Sequence, residues 1–126
     1  RAVVTGMKAR KFGRIINISS VNAQKGQFGQ TNYSAAKSGI YGFTKALAQE
    51  VVKRGITVNA ISPGYVGTDL VMAIRSDVRE KILSQIPMGR FAQPEEIAHL
   101  VSYLTSAHAA FVTGANYAIN GGQHMF

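Results

Sequence analysis

Two short runs rich in β-branched residues, GRIINIS (13–19) and ITVNAIS (56–62), flank one long helical pattern, and that arrangement restricts the chain to few architectures. The first run is apolar almost throughout, broken by Asn17, which predicts a strand covered on both faces within a parallel sheet. Between the runs, YSAAKSGIYGFTKALAQEVVKRG (33–55) spaces Ile40, Phe43, Leu47 and Val51 as a helix does and closes on Lys53, Arg54 and Gly55. A basic last turn followed by glycine is a helix stop. Strand, helix and strand in this order predict a right-handed crossover between parallel neighbours, hence an α/β fold.

The flanking segments extend the pattern. VVTGMKARKFG (3–13) reads as the tail of a helix before the first strand, and SVNAQKGQFGQTN (20–32) as a Gly- and Gln-rich loop. TDLVMAIRSDVREKILSQIP (68–87) predicts one or two short amphipathic helices off the sheet. QPEEIAHLVSYLTS (93–106) predicts a firmer one, with Pro94, Glu95 and Glu96 in the first turn, where the helix dipole favours acids. ANYAINGG (115–122) completes the set as a short strand. The expected order is β-α-β-(α)-α-β, with no internal repeat.

Bulk properties narrow the function. The 126 residues suit one modest core and are short for an α/β enzyme that also holds a large cofactor. No apolar run approaches the roughly 20 residues of a membrane helix, and the opening RAVVTGMKARKFGR lacks the apolar centre of a secretion signal. The chain has no cysteine, so neither a disulfide frame nor thiolate chemistry is available, as suits a cytoplasmic protein. A net charge of +8 raises the question of a polyanionic partner. The basic residues are dispersed, however, and no zinc pattern or RNA-binding aromatic signature accompanies them, so phosphates on a small ligand are a better use of the charge than nucleic acid.

Tyr33 and Lys37 stand four apart at the start of the long helix, on one face and about a turn from each other. A phenol ordinarily holds its proton until about pH 10, and a neighbouring ammonium favours the phenolate, so the pair is a tunable proton donor. Thirteen residues before Tyr33, Ser20 follows the first strand, and SPGYVGTD (62–69) follows the second. Ligands of such sheets gather beyond the carboxyl ends of the strands. Taken singly these are a surface pair, a helix cap and a turn. Taken together they converge on one crevice.

In this combination the sequence closely resembles the catalytic half of the short-chain dehydrogenase/reductases, whose motifs are a Ser, then Tyr-x-x-x-Lys, then Pro-Gly after the next strand. Here these are Ser20, YSAAK with Tyr33 and Lys37, and Pro63-Gly64, and the likeness continues to NGG near the end. The resemblance implies the carboxyl-terminal part of a doubly wound, Rossmann-type parallel sheet with helices on both faces. It implies that Tyr33 protonates a substrate carbonyl as hydride arrives from a nicotinamide, that Ser20 hydrogen-bonds the same oxygen, and that Lys37 assists Tyr33 and holds the nicotinamide ribose. It places Pro63, Gly64, Tyr65 and Val66 beside the nicotinamide and Thr68 at a helix cap near it. No metal is expected. Asn17 and Asn59 are expected to be structural.

Within the family, the loop QKGQFGQ (24–30) and the ending NGGQHM (120–125) most resemble reductases of acetoacetyl-CoA that use NADPH to make (R)-3-hydroxybutyryl-CoA for polyhydroxyalkanoate synthesis. Reductases of 3-oxoacyl groups on acyl carrier protein share almost every motif. The resemblance implies that Gln27, Phe28, Gly29 and Gln30, with Tyr65 opposite, line the acyl pocket, and that the parent assembles as a homotetramer. Arg75, in MAIRSD (72–77), is a candidate for the CoA phosphates, with Arg79 and Lys81 as alternatives and a solvated helix face as the competing reading. The family's Gly-rich phosphate turn does not occur in 1–126. The expectation is therefore a single carboxyl-terminal catalytic portion, the cofactor-binding half lying outside it.

Overall fold

The structure, a computed structural model, describes residues 2–125. Along the chain it forms α1 (Val4–Arg10), β1 (Gly13–Ile18), α2 (Val21–Lys25), α3 (Thr31–Val51), β2 (Ile56–Pro63), α4 (Asp69–Met72), α5 (Ser76–Leu83), α6 (Pro94–Thr105) and β3 (Asn116–Ile119). The strands make one parallel sheet in the order β1-β2-β3. Ile18 of β1 lies beside Ile61 of β2, and Pro63 of β2 beside Ile119 of β3, so the carboxyl ends meet at one edge. The protein is thus a parallel α/β fold of Rossmann type, as its sequence predicts.

β2 is the spine of this sheet. Ile56, Val58, Ala60 and Ile61 are all fully buried, and Ala48 and Val51 of α3 close over Ile56 and Val58 with Val4, Met7, Ile15 and Leu47 around them. Burial of such side chains supplies about 1.5–3 kcal/mol each before entropy is counted. β1 differs from its expected double burial: Gly13 alone is buried and Ile18 is exposed. Among the described residues it pairs with β2 alone.

The long helix stops as expected. After Val51 the chain makes a 3-10 turn, Val52–Arg54, and Gly55 takes the left-handed φ of 69°. A Cβ at Gly55 would also lie 2.3 Å from the carbonyl oxygen of Lys11, so glycine is required here twice over. The segment 20–32, expected to be loop, instead contains α2, five residues long and capped by Ser20. The segment 68–87 forms two short helices, α4 and α5.

α6 starts where Pro94 predicts. The Glu96 carboxylate accepts the Gln93 N–H at 2.7 Å and pairs both oxygens with the Arg90 guanidinium at 2.7 and 2.8 Å. These contacts, Arg90 first, hold the Glu96 carboxyl down at about 2. A carboxyl held below its unfolded value near 4.5 adds stability that is complete above that value and is lost as pH falls toward 2. Glu96→Gln is expected to flatten this part of the pH-stability curve, read as melting temperature from pH 5 down to pH 2 beside the wild type. Parallel curves would show that the contact does not couple to folding.

Candidate active site

The site begins where β1 runs out. Ser19 donates its N–H to Ile61 O at 2.7 Å and its hydroxyl to Lys37 O at 2.8 Å, fixing the strand end against β2 and α3. Ser20 is extended, with φ −163° and ψ 152°, and its Oγ accepts the Asn22 N–H at 3.1 Å as the cap of α2. Used as an acceptor there, the hydroxyl keeps its own proton to donate. Asn17 donates to Thr44 Oγ1 at 2.9 Å, a tie between β1 and α3.

Tyr33 and Lys37 occupy the first two turns of α3. The Lys37 ammonium lies 5.9 Å from the centroid of the Tyr33 ring, within cation–π range, and donates to Ile18 O at 2.9 Å. One N–H of Lys37 therefore holds the helix to the strand end that carries Ser20, and two remain. Tyr33 is 42% exposed, and among the described residues its hydroxyl has no hydrogen-bond partner.

Ser20 and Tyr33 open into one cleft of about 480 Å³. Gly64, Tyr65, Val66 and Thr68 form its other wall, and Leu70, Val71 and Ile74 close the end. The wall is held by backbone bonds: Gly64 N–H to Ile119 O at 2.9 Å, Gly67 N–H to Ala92 O at 2.8 Å, and Ala92 N–H to Tyr65 O at 3.0 Å. Pro63 ends β2 just behind it. Thr68 sits at the N-cap position of α4 without capping it through its side chain, so its hydroxyl is open to a ligand. Tyr65 also borders a second hollow of about 320 Å³ with Ile86, Met88 and Asn120.

The loop expectations divide. Gln30 lines the cleft, its Oε1 accepting from Asn22 Nδ2 at 2.9 Å, and Tyr65 lines it from across. Gln27, Phe28 and Gly29 do not. Gly26 and Gly29 both have positive φ, 73° and 77°, and the turn they make swings Phe28 fully into solvent. Nor does Arg75 line the cleft: its guanidinium is engaged with both oxygens of Asp77, at 2.5 and 2.7 Å. The apolar side of the cleft comes from Leu70, Val71 and Ile74, which sequence reasoning passed over. DLVMAI (69–74) carried the signal, an apolar run directly after Thr68.

Among the described residues no group of three His, Asp or Glu side chains could hold a metal ion, and no helix is long and apolar enough to cross a membrane. Ser20, Tyr33 and Lys37 thus meet at the carboxyl edge of a parallel sheet, the edge at which α/β folds of this type bind their ligands. The chain belongs to the short-chain dehydrogenase/reductase family: the family model described as enoyl-(acyl carrier protein) reductase matches residues 1–124. It is 58% identical over 125 residues to an acetoacetyl-CoA reductase of Cupriavidus necator, covering 99% of this chain and 51% of that protein. It is 62% identical over 116 residues to nodulation protein G of Azospirillum brasilense, covering 92% and 47%. It is 53% identical over 125 residues to a 3-oxoacyl-[acyl-carrier-protein] reductase of Pseudomonas aeruginosa, covering 99% and 51%. The chain spans about half the length of the curated relatives it matches.

Proposed function

We propose that the protein carrying this chain reduces a 3-oxoacyl thioester with NADPH, namely acetoacetyl-CoA to (R)-3-hydroxybutyryl-CoA in polyhydroxyalkanoate synthesis, in the cytoplasm. The observation that carries this reading is the shared cleft of Ser20 and Tyr33, with Lys37 against the Tyr33 ring. The residues present fit the nicotinamide end of the cofactor: Lys37 has two N–H groups not used by Ile18 O, and Thr68 has a hydroxyl not used in capping. Lys37 would hold the ribose, and the segment from Pro63 to Thr68 would meet the ring and its amide. The cofactor, when bound, supplies hydride to the keto carbon.

The rest of the chemistry belongs to this chain. Ser20 donates its hydroxyl proton in a hydrogen bond to the keto oxygen and holds the carbonyl in place. Tyr33 gives its phenolic proton to that oxygen as negative charge develops there, and the product leaves as the alcohol. Lys37 supplies the positive charge beside the phenolate that remains. Leu70, Val71 and Ile74 face the acyl chain, while Gln30 and Tyr65 offer polar groups to the thioester. A net charge of +8 suits the phosphates of cofactor and CoA. Exposed Phe43 on α3, Tyr103 on α6 and Phe111 beyond it support assembly of the parent into a homotetramer.

A second reading, reduction of the same group on acyl carrier protein, is favoured by the likeness to the Pseudomonas protein. The test is NADPH oxidation by the full-length protein with acetoacetyl-CoA and with acetoacetyl carrier protein. Higher kcat/KM on the CoA ester is expected. Preference for the carrier protein would establish the second reading, and oxidation with neither would overturn both.

A further inference from the structure

Behind the cleft, two turns along α3 from Tyr33, the Tyr41 hydroxyl lies 3.2 Å from Ser20 O and 2.9 Å from Ser62 Oγ, and Ser62 Oγ lies 2.7 Å from Asn116 Oδ1. Ser62 is fully buried near the end of β2, and Asn116 opens β3. The contacts thus run from β3 through β2 and α3 to the peptide of Ser20. Counting protons gives them a direction. Two hydroxyls carry two protons, which cannot serve three contacts if both ends of the chain only accept. With the Asn116 amide turned end for end, its N–H donates to Ser62, Ser62 to Tyr41, and Tyr41 to the Ser20 carbonyl, and each hydroxyl both gives and receives one bond.

We propose that Tyr41 is a positioning residue for the reduction: anchored through Ser62 and Asn116, its hydroxyl fixes the Ser20 peptide and thereby aims the Ser20 side chain into the cleft. The Ser20 carbonyl otherwise accepts the Ala23 N–H alone, at 3.0 Å, from within α2 itself. Tyr41 ties that cap to the sheet, because Ser62 belongs to β2 and Asn116 to β3. Tyr41 also borders a hollow of about 530 Å³ with Ser38, Lys45 and Asn116. Water from that side can take the place of a lost hydroxyl, so the fold survives its removal while the geometry of Ser20 loosens.

This inference rests on the proposed reductase reading, and its test separates the two. In the full-length protein, Tyr41→Phe keeps the ring and is expected to lower kcat about tenfold or more, since small misplacements at a reacting centre cost up to about a hundredfold. KM for the thioester and the melting temperature should stay close to wild type. In a Ser20→Ala background the same change should have no further effect, because Tyr41 acts through Ser20. Ser62→Ala, run through the same cycle, should repeat the pattern more weakly and serves if Tyr41→Phe folds poorly. Full kcat in Tyr41→Phe, or an equal loss with and without the Ser20 hydroxyl, would overturn the positioning role. Wild-type turnover in Ser20→Ala itself would instead overturn the reductase reading on which that role stands.

Discussion

Tyr33→Phe in the full-length protein is expected to lower kcat for NADPH-dependent reduction about 10²- to 10⁴-fold, the range of a lost general acid. Substrate affinity should change little, because the phenyl ring keeps its place beside Lys37 and only the hydroxyl goes. The substitution is also clean structurally. Tyr33 is 42% exposed and its hydroxyl has no partner among the described residues, so the melting temperature should not move. Replacing Lys37 would be less informative, since its ammonium also ties α3 to Ile18 O at 2.9 Å and its loss would mix packing with chemistry. Steady-state oxidation of NADPH with acetoacetyl-CoA provides the measurement. Retention of more than about a tenth of wild-type turnover would remove Tyr33 from the role of proton donor.

The fold was legible where pattern and packing agree. The apolar residues of 33–55 recur at one spacing over many turns and so mark a helix, which departs from α3 mainly at its ends, where capping rather than periodicity decides. The double burial predicted for GRIINIS belongs instead to β2, whose residues from Ile56 to Ser62 are all buried. Within the described residues β1 pairs with β2 alone, whereas β2 lies between β1 and β3. Five residues are too few for periodicity to mark α2, and its existence depends on the Ser20 cap that the sequence shows only as one serine among others.

The site followed a similar division. The clustering of Ser20, Tyr33, Gly64, Tyr65, Val66 and Thr68 follows from topology, since adjacent parallel strands must end at the same edge. Side chains on connecting segments obey local geometry that the sequence does not display. Phe28 points to solvent because Gly26 and Gly29 turn the backbone around it, and Arg75 is occupied because Asp77 lies two residues along an exposed segment. Tyr41 lay outside sequence reasoning altogether. In the sequence it is one residue within a long helix, and only the approach of Ser20 and Ser62 from two other elements gives its hydroxyl a purpose.

Asn59→Ala is expected to cost the fold more stability than any surface change, although Asn59 lies within the strand core and away from the cleft. Its side chain is 1% exposed; Nδ2 donates to Val112 O at 2.8 Å, and Oδ1 accepts the Ala115 N–H at 3.1 Å. These bonds bracket the chain just before β3 and hold it against β2, where Ala60 N–H donates to Ala115 O at 2.9 Å and Gly114 N–H to Val58 O at 2.7 Å. Alanine leaves one half-buried carbonyl and one half-buried N–H without their partner; a fully buried group left so costs about 1–3 kcal/mol, so the expected loss is up to about 2–6 kcal/mol. Against a total of about 5–15 kcal/mol that is a large share. Denaturant titration of the full-length protein, comparing midpoints at constant slope, measures it. An unchanged midpoint would mean that water satisfies both backbone groups and that β3 docks without Asn59. A lowered midpoint with normal turnover in the folded fraction is the expected result, because Asn59 touches nothing in the cleft and its partners, Val112 O and the Ala115 N–H, lie before β3.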